Sequence, residues 1–264
     1  MSALRAVGAE LRKTVTLPAA LVAVAVTALG SLGITLLNAL NVRSAIRSGQ
    51  LASVGYTSPV EAVFSAAPLG TVGAVILGVV AISSEYTANS PDAGGGRQVT
   101  ATLTATPRRV VVLAAKAVTV VLLVAATAAV TIPACLALAR LVVGDAAATP
   151  DDAGDTLARA LGAALYWTLT ALIALAITVL TRSGIVPLIV FTANSTLVSV
   201  PLLLTKLTSL AYWLPDLAGM RLFARDTWGM FEDALDPLTG GLVMSAWTVG
   251  LLAVCAVVFT RRDA

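Results

Sequence analysis

The chain has 264 residues, of which 58% are hydrophobic and 12% charged, and its mean hydropathy is +0.93. An ordinary soluble domain carries about 25% charged residues, so this composition sets aside a soluble enzyme and predicts a polytopic membrane protein. With 2 Cys and no His, the usual donors of a zinc site, a histidine general base or a haem are scarce or missing. Cys135 and Cys255 fall inside apolar runs and read as small buried hydrophobes rather than a disulfide framework. The basic balance, pI about 9.1, does not point to nucleic acid, because the basic residues cluster at the ends of apolar runs.

Residues 1–16 place Leu4, Val7, Leu11 and Val15 at steps of three and four, with Arg5, Glu10, Arg12 and Lys13 between them. That spacing predicts a short amphipathic helix on the membrane surface, or else a charged flank of the first span. The following apolar run is too long for the core of a cleavable signal peptide.

A first span is predicted from Leu17 to Leu40, long enough for a hydrocarbon core that needs about 20 residues. Thr27, Ser31, Thr35 and Asn38 line one of its faces, which serves either helix packing or a substrate path. After a polar connector from Asn41 to Pro59, a second span runs from Val63 to Ser83. Gly70, Ala74 and Gly78 stand at steps of four on it and admit another helix closely. Glu61 sits at its start.

Between the second span and the third lies the longest polar interval, Ser83 to Lys116, with its core at 84–109. It is too long for a plain turn and is the expected grip for another protein. The third span, Val110 to Ala139, is overlong and contains Pro133. Residues Arg140 to Arg159 read as an acidic loop. A fourth span, Ala160 to Leu180, and a fifth, Ile185 to Leu204, are joined only by TRSG and form a hairpin. Thr192, Ser195, Thr196 and Ser199 form a second polar stripe on the fifth span. Residues 206–237 read as an outer loop with short helices, with Tyr212, Trp213 and Trp228 suited to an interfacial belt. A sixth span covers Leu238 to Phe259.

Six spans bring both termini to one side. Of 17 Lys and Arg, ten lie on that side (Arg5, Arg12, Lys13, Arg97, Arg108, Arg109, Lys116, Arg182, Arg261, Arg262), so both termini and the long loop are expected in the cytoplasm. The fold class is all-α: one transmembrane domain, 1–264, of six helices with an amino-terminal amphipathic helix and a cytoplasmic coupling loop between helices 2 and 3.

Within these spans the charged residues stand at the ends, whereas a proton- or ion-coupled carrier places an ionisable group deep in the membrane. An intramembrane protease or transferase lacks its His base. The chain has no G-x-x-x-x-G-K-[ST] phosphate loop, and the GGG of Gly94 to Gly96 is followed by Arg97 and Gln98.

The succession SEY, polar interval, TLTATPRR and VVLAAK resembles the cytoplasmic loop of the type-2 class of ABC exporter permeases. The six-span order, the basic AELRK segment and WLPDLAG after the fifth span are similar too, so the resemblance covers nearly the whole chain. The interval departs from the family pattern in its NSPDAGGGRQ insertion. The resemblance implies a non-catalytic permease subunit in a bacterial plasma membrane. It would bind a second permease, identical or related, and two copies of an ATP-binding subunit, with ATP and Mg held there rather than in this chain. It further implies coupling to that ATPase through Glu85, Tyr86, Arg97, Thr102, Leu103, Pro107, Arg108 and Arg109. The translocation path would run along the second and fifth spans, with Thr192, Ser195, Thr196, Ser199 and, on the first span, Thr27, Ser31, Thr35 and Asn38 as candidate lining. Membrane lipid is the other expected partner. A secondary carrier and a non-transporting anchor or sensor subunit are the alternatives.

Overall fold

A computed structural model describes residues 3–49, 58–86, 102, 108–144, 152–196, 200–225 and 235–261; for 192–196 and 200–202 the backbone alone is described. Helix α1 (Ala3–Thr16) stops where Leu17 takes an extended conformation, and Pro18, at the first helical position, opens α2 (Pro18–Ser48). Gly49, left-handed with φ 69°, closes α2 and returns its N–H to the last turn. Helix α2 thus runs eight residues past the predicted Leu40. Val42 and Ala45 are buried on the extension, and Val42 packs with Ala62, Val63, Ala139 and Val143.

The second span is divided. Ser58 caps α3 (Pro59–Phe64) by accepting from the Glu61 N–H at 3.1 Å, and α4 (Ala67–Ser83) follows after a break at Ser65 and Ala66. Pro68 lies four residues beyond Phe64 and has no N–H for that carbonyl, so the ladder cannot run through. A 3-10 turn, Ser84–Tyr86, ends the span.

Helix α5 (Arg109–Val143) holds Pro133 inside it, and α6 (Ala153–Thr181) is capped by Asp152, whose carboxylate accepts from Gly154 and Asp155 N–H at 3.1 Å each. The cap starts α6 seven residues before the predicted Ala160, so much of the expected acidic loop is helix. Arg182, left-handed at φ 53°, turns the chain into α7 (Ile185–Thr196). Helix α8 (Val200–Thr205), a 3-10 turn at Ser209–Trp213 and α9 (Pro215–Met220) precede α10 (Pro237–Arg261).

Among the described residues, five helices are long and apolar enough to cross a membrane: Pro18–Ser48, Pro59–Tyr86, Arg109–Val143, Ala153–Thr181 and Pro237–Arg261. The predicted fifth span is not one of them, because its described parts, α7 and α8, have 12 and 6 residues. The architecture is all-helical over the described residues, and large apolar side chains such as Leu29, Val130 and Leu242 stand exposed on the outer surface of the bundle, as lipid requires.

Helices α4 and α6 form the centre. The Trp167 ring lies over Gly70, where a Cβ would come within 1.9 Å of it, and its Nε1 donates to the Ala67 carbonyl at 2.8 Å. A Cβ at Gly78 would meet the Ala171 carbonyl at 2.1 Å. The small-residue stripe therefore admits a helix of the same chain. On another face of α4, Gly73 leaves room for Ala23 and Thr27 of α2.

Candidate functional site

The chain gathers charge at both ends of the second span. Glu61 stands near the start of that span and Glu85 in the 3-10 turn that ends it. Each is the seat of a four-charge cluster with two acids and two bases.

At the α1 end, Lys116 of α5 is enclosed by protein, its side chain 2% exposed. Its ammonium donates to Glu10 Oε2 at 2.6 Å, Glu85 Oε1 at 2.8 Å and the Ala81 carbonyl at 3.1 Å, so all three of its N–H groups have acceptors. Ala81 lies in the last turn of α4, where carbonyls outnumber intrahelical donors and a cation is favoured by the helix dipole. Lys13 of α1 also donates to Glu85 Oε1, and Thr102 donates to Glu85 Oε2 at 2.9 Å. These contacts turn the polar face of α1 inward. Ala6 and Thr14 are buried beside the two charges, while of the apolar stripe Leu4 and Val15 are exposed and Val7 and Leu11 half-buried. Nearby, Arg109 donates to the Phe259 carbonyl at 3.1 Å and so ties the start of α5 to the end of α10.

At the α3 end, Arg159 of α6 donates to Glu61 Oε1 at 2.6 Å and to the Phe223 carbonyl at 2.8 Å, and its guanidinium lies 4.5 Å from the centre of the Phe64 ring. Asp155 stands 3.8 Å from Arg159 and accepts from Arg225 at 2.5 Å. Tyr166 donates to Asp216 at 2.6 Å. With Leu217, Ala218 and Phe223 buried, residues 209–225 form a packed cover on this end.

The predicted residues divide accordingly. Glu85 is buried in the first cluster, Tyr86 packs against the main core, Thr102 reaches Glu85, and Arg109 reaches α10; Arg108 is exposed at the start of α5. Arg97, Leu103, Pro107 and Ser199 lie outside the described residues, as do the side chains of Thr192, Ser195 and Thr196. Thr27, Ser31, Thr35 and Asn38 are buried on one face of α2. Asn38 donates to the Ala62 carbonyl and to Ser65 Oγ, both at 3.1 Å, at the break between α3 and α4, and Thr27 lies 3.5 Å from the Gly70 carbonyl. Of the two readings open for this stripe, these contacts are those of helix packing. Ser31 Oγ faces a small cavity shared with Cys135 and Trp167 and has no hydrogen-bond partner among the described residues.

Sequence reasoning passed over Glu10, Lys13 and Lys116 at one end and Asp155, Arg159 and Arg225 at the other. The signal was there for Lys116, a lone cation inside VVLAAKAVTV, since an ionisable residue within a span is a functional candidate by default. It was counted instead with the flanking charges. Arg159 lies in the stretch that reads as an acidic loop, although Asp152 at a cap position turns it into a helix start.

No protein-family model matches the chain, and no characterised protein matches it at a significant level.

Proposed function

We propose that this chain is the membrane-spanning permease subunit of an ATP-driven exporter, forming the translocation path and coupled to a separate ATP-binding subunit. It pairs with a second permease, identical or related, and with two ATP-binding subunits that hold ATP and Mg; it is itself non-catalytic. The observation that carries this reading is the convergence at the α1 end. Two residues of the 84–109 interval, Glu85 near its start and Thr102 within it, meet α1 and α5 on one carboxylate, so a partner gripping the interval would pull on three helices at once. Conformational energy from the partner can shift the permease only through such differential contacts.

In this reading α7 and α8 together make the sixth crossing. Gly184 packs on Ser83 and Val79 at the α1 end, whereas Phe223 meets Arg159 at the other, so the chain changes ends between them. The α1 end is cytoplasmic, in a bacterial plasma membrane, by the excess of Lys and Arg there. An impermeant thiol reagent should then reach a cysteine at Gly95 only from the cytoplasm and one at Asp152 only from outside. The opposite pattern would reverse the orientation. The path is assigned to the fifth span's Thr192, Ser195, Thr196 and Ser199, whose replacement by Val should alter which compounds are exported with assembly intact.

The direct test is co-purification with an ATP-binding subunit, then substrate-stimulated ATP hydrolysis and export in vesicles. Glu85→Ala should leave the protein in the membrane while lowering both together; full coupling in that variant would make the loop a mere tether. A second reading, a carrier driven by an ion gradient, is favoured by the buried Lys116 between two carboxylates. Transport that persists in ATP-depleted vesicles with a proton gradient would establish it instead.

A further inference from the structure

Thr27, Thr119, Thr170, Thr178 and Thr248, all buried within long helices, each return the hydroxyl to the carbonyl four residues back, at 2.7–3.1 Å. Each hydroxyl is thereby satisfied inside its own helix. Ser31 and Thr35 on α2 depart from this habit. They are 3% and 0% exposed, and neither hydroxyl has a hydrogen-bond partner among the described residues. Both line a cavity of about 10 Å³ enclosed by α2, α5, α6 and the break that separates α3 from α4. That is room for one water.

The break makes a demand of its own. In a bilayer, each backbone group that a broken helix frees has to be met from inside the protein. The Ala62 carbonyl accepts from Asn38 of α2, and the Ala67 carbonyl from Trp167 of α6. Between them, Phe64 has Pro68 four residues on, with no N–H to offer its carbonyl, and Phe64 lines the same cavity as Ser31 and Thr35.

We infer that this cavity is a binding site for a single water, held by the hydroxyls of Ser31 and Thr35 and by the freed backbone of the α3–α4 break. A hydroxyl both donates and accepts, and so does a water. One molecule therefore satisfies both side chains and keeps a donor for a carbonyl, where two hydroxyls buried unmet side by side would each be costly. The ligand is neutral, because among the described residues no carboxylate lines the cavity to balance a cation. The site does not depend on the exporter reading.

The test combines thermal unfolding of the full chain in detergent with a structure at a resolution that shows ordered water. Thr35→Val keeps the side-chain shape and removes the hydroxyl. It should lower Tm by about 2–4 °C, the shift expected when a buried hydrogen bond is lost from a chain of roughly this size. Ser31→Ala should do the same, and the double variant should fall little further than the larger single effect, because both act through one water. In a dry cavity the sign reverses: deleting an unmet hydroxyl raises Tm or leaves it unchanged, and either result would overturn the site. Additive falls would overturn the shared water. If Thr35→Val does not accumulate, Ser31→Ala is read alone by the same sign.

In the structure, one density peak should lie within hydrogen-bond distance of Ser31 Oγ and Thr35 Oγ1, and Ser31→Val, whose methyls fill that space, should lack it. No peak in the native chain would also overturn the site. Tm should be the same in sodium as in choline buffer. A rise in sodium that Thr35→Val abolishes would make the ligand a cation and overturn the assignment to water.

Discussion

The two charge clusters have the same formal composition, two acids and two bases, yet they are built for different work. At the α1 end the bases are lysines, and the side chains at the centre are almost wholly enclosed: Lys116 is 2% exposed and Glu85 4%. At the α3 end the bases are arginines: Arg159 at the centre is 4% exposed and its partner Glu61 20%, while the outer pair of Arg225 and Asp155 is 34% and 41% exposed. The guanidinium of Arg159 is planar; it covers the Phe64 ring while bonding Glu61 and a backbone carbonyl, a geometry that an ammonium cannot reproduce. This end clamps α3, α6 and the 209–225 cover together. The lysine cluster instead joins α1 to Glu85, Thr102 and α5. Buried charge pairs contribute little net stability against apolar replacements, but they are costly to break singly. The α3 end thus ties three elements through two arginines, whereas the α1 end seats α1 on one enclosed lysine and one enclosed carboxylate.

The sharpest way to break this contrast is Arg159→Ala. It strips Glu61 of its partner, leaves the Phe223 carbonyl without its donor and removes the ring contact, so a loss of about 3–5 kcal/mol is expected. It should appear as a large fall in Tm in detergent, or as loss of folded protein. An unchanged Tm with lost coupling would exchange the roles of the two ends.

Gly70→Val tests the column between the clusters. A Cβ there collides with the Trp167 ring, itself fixed by the Ala67 carbonyl, and overpacking of this kind costs about 1–3 kcal/mol. Thermal unfolding should shift down. An unchanged Tm would mean that the Trp167 ring can move aside without cost.

The smallest effect is expected from Arg225→Ala. Its pair with Asp155 is half open to solvent, and exposed pairs are worth about 0–1 kcal/mol, so Tm should move by little and activity not at all. A loss comparable to that of Arg159→Ala would show that the 209–225 cover hangs on this one contact.

What could be read without coordinates follows the period of apolar residues. The first, third, fourth and sixth spans are continuous apolar runs, and bilayer thickness alone requires helices of that length. Glu85 is legible only through the resemblance; its positive partners, Lys13 and Lys116, are not. The helix ends were misjudged where capping outweighed composition, as at Asp152 and along Asn41–Ser48. The amphipathic pattern of α1 was correct, but its polarity had two solutions, stripe toward the bundle or toward the surroundings.

Only packing decided that question. Lys116 and Glu85 form a polar seat that draws Glu10 and Lys13 of α1 inward and leaves Leu4 and Val15 outside, with Val7 and Leu11 half-buried. By itself the sequence determined a helical, membrane-like chain with long apolar helices, because hydrophobicity and length act locally. Tertiary structure alone decided that Glu10, Lys13, Glu85 and Lys116 share one site, since a pairing across 106 residues, from Glu10 to Lys116, leaves no periodic trace along the chain.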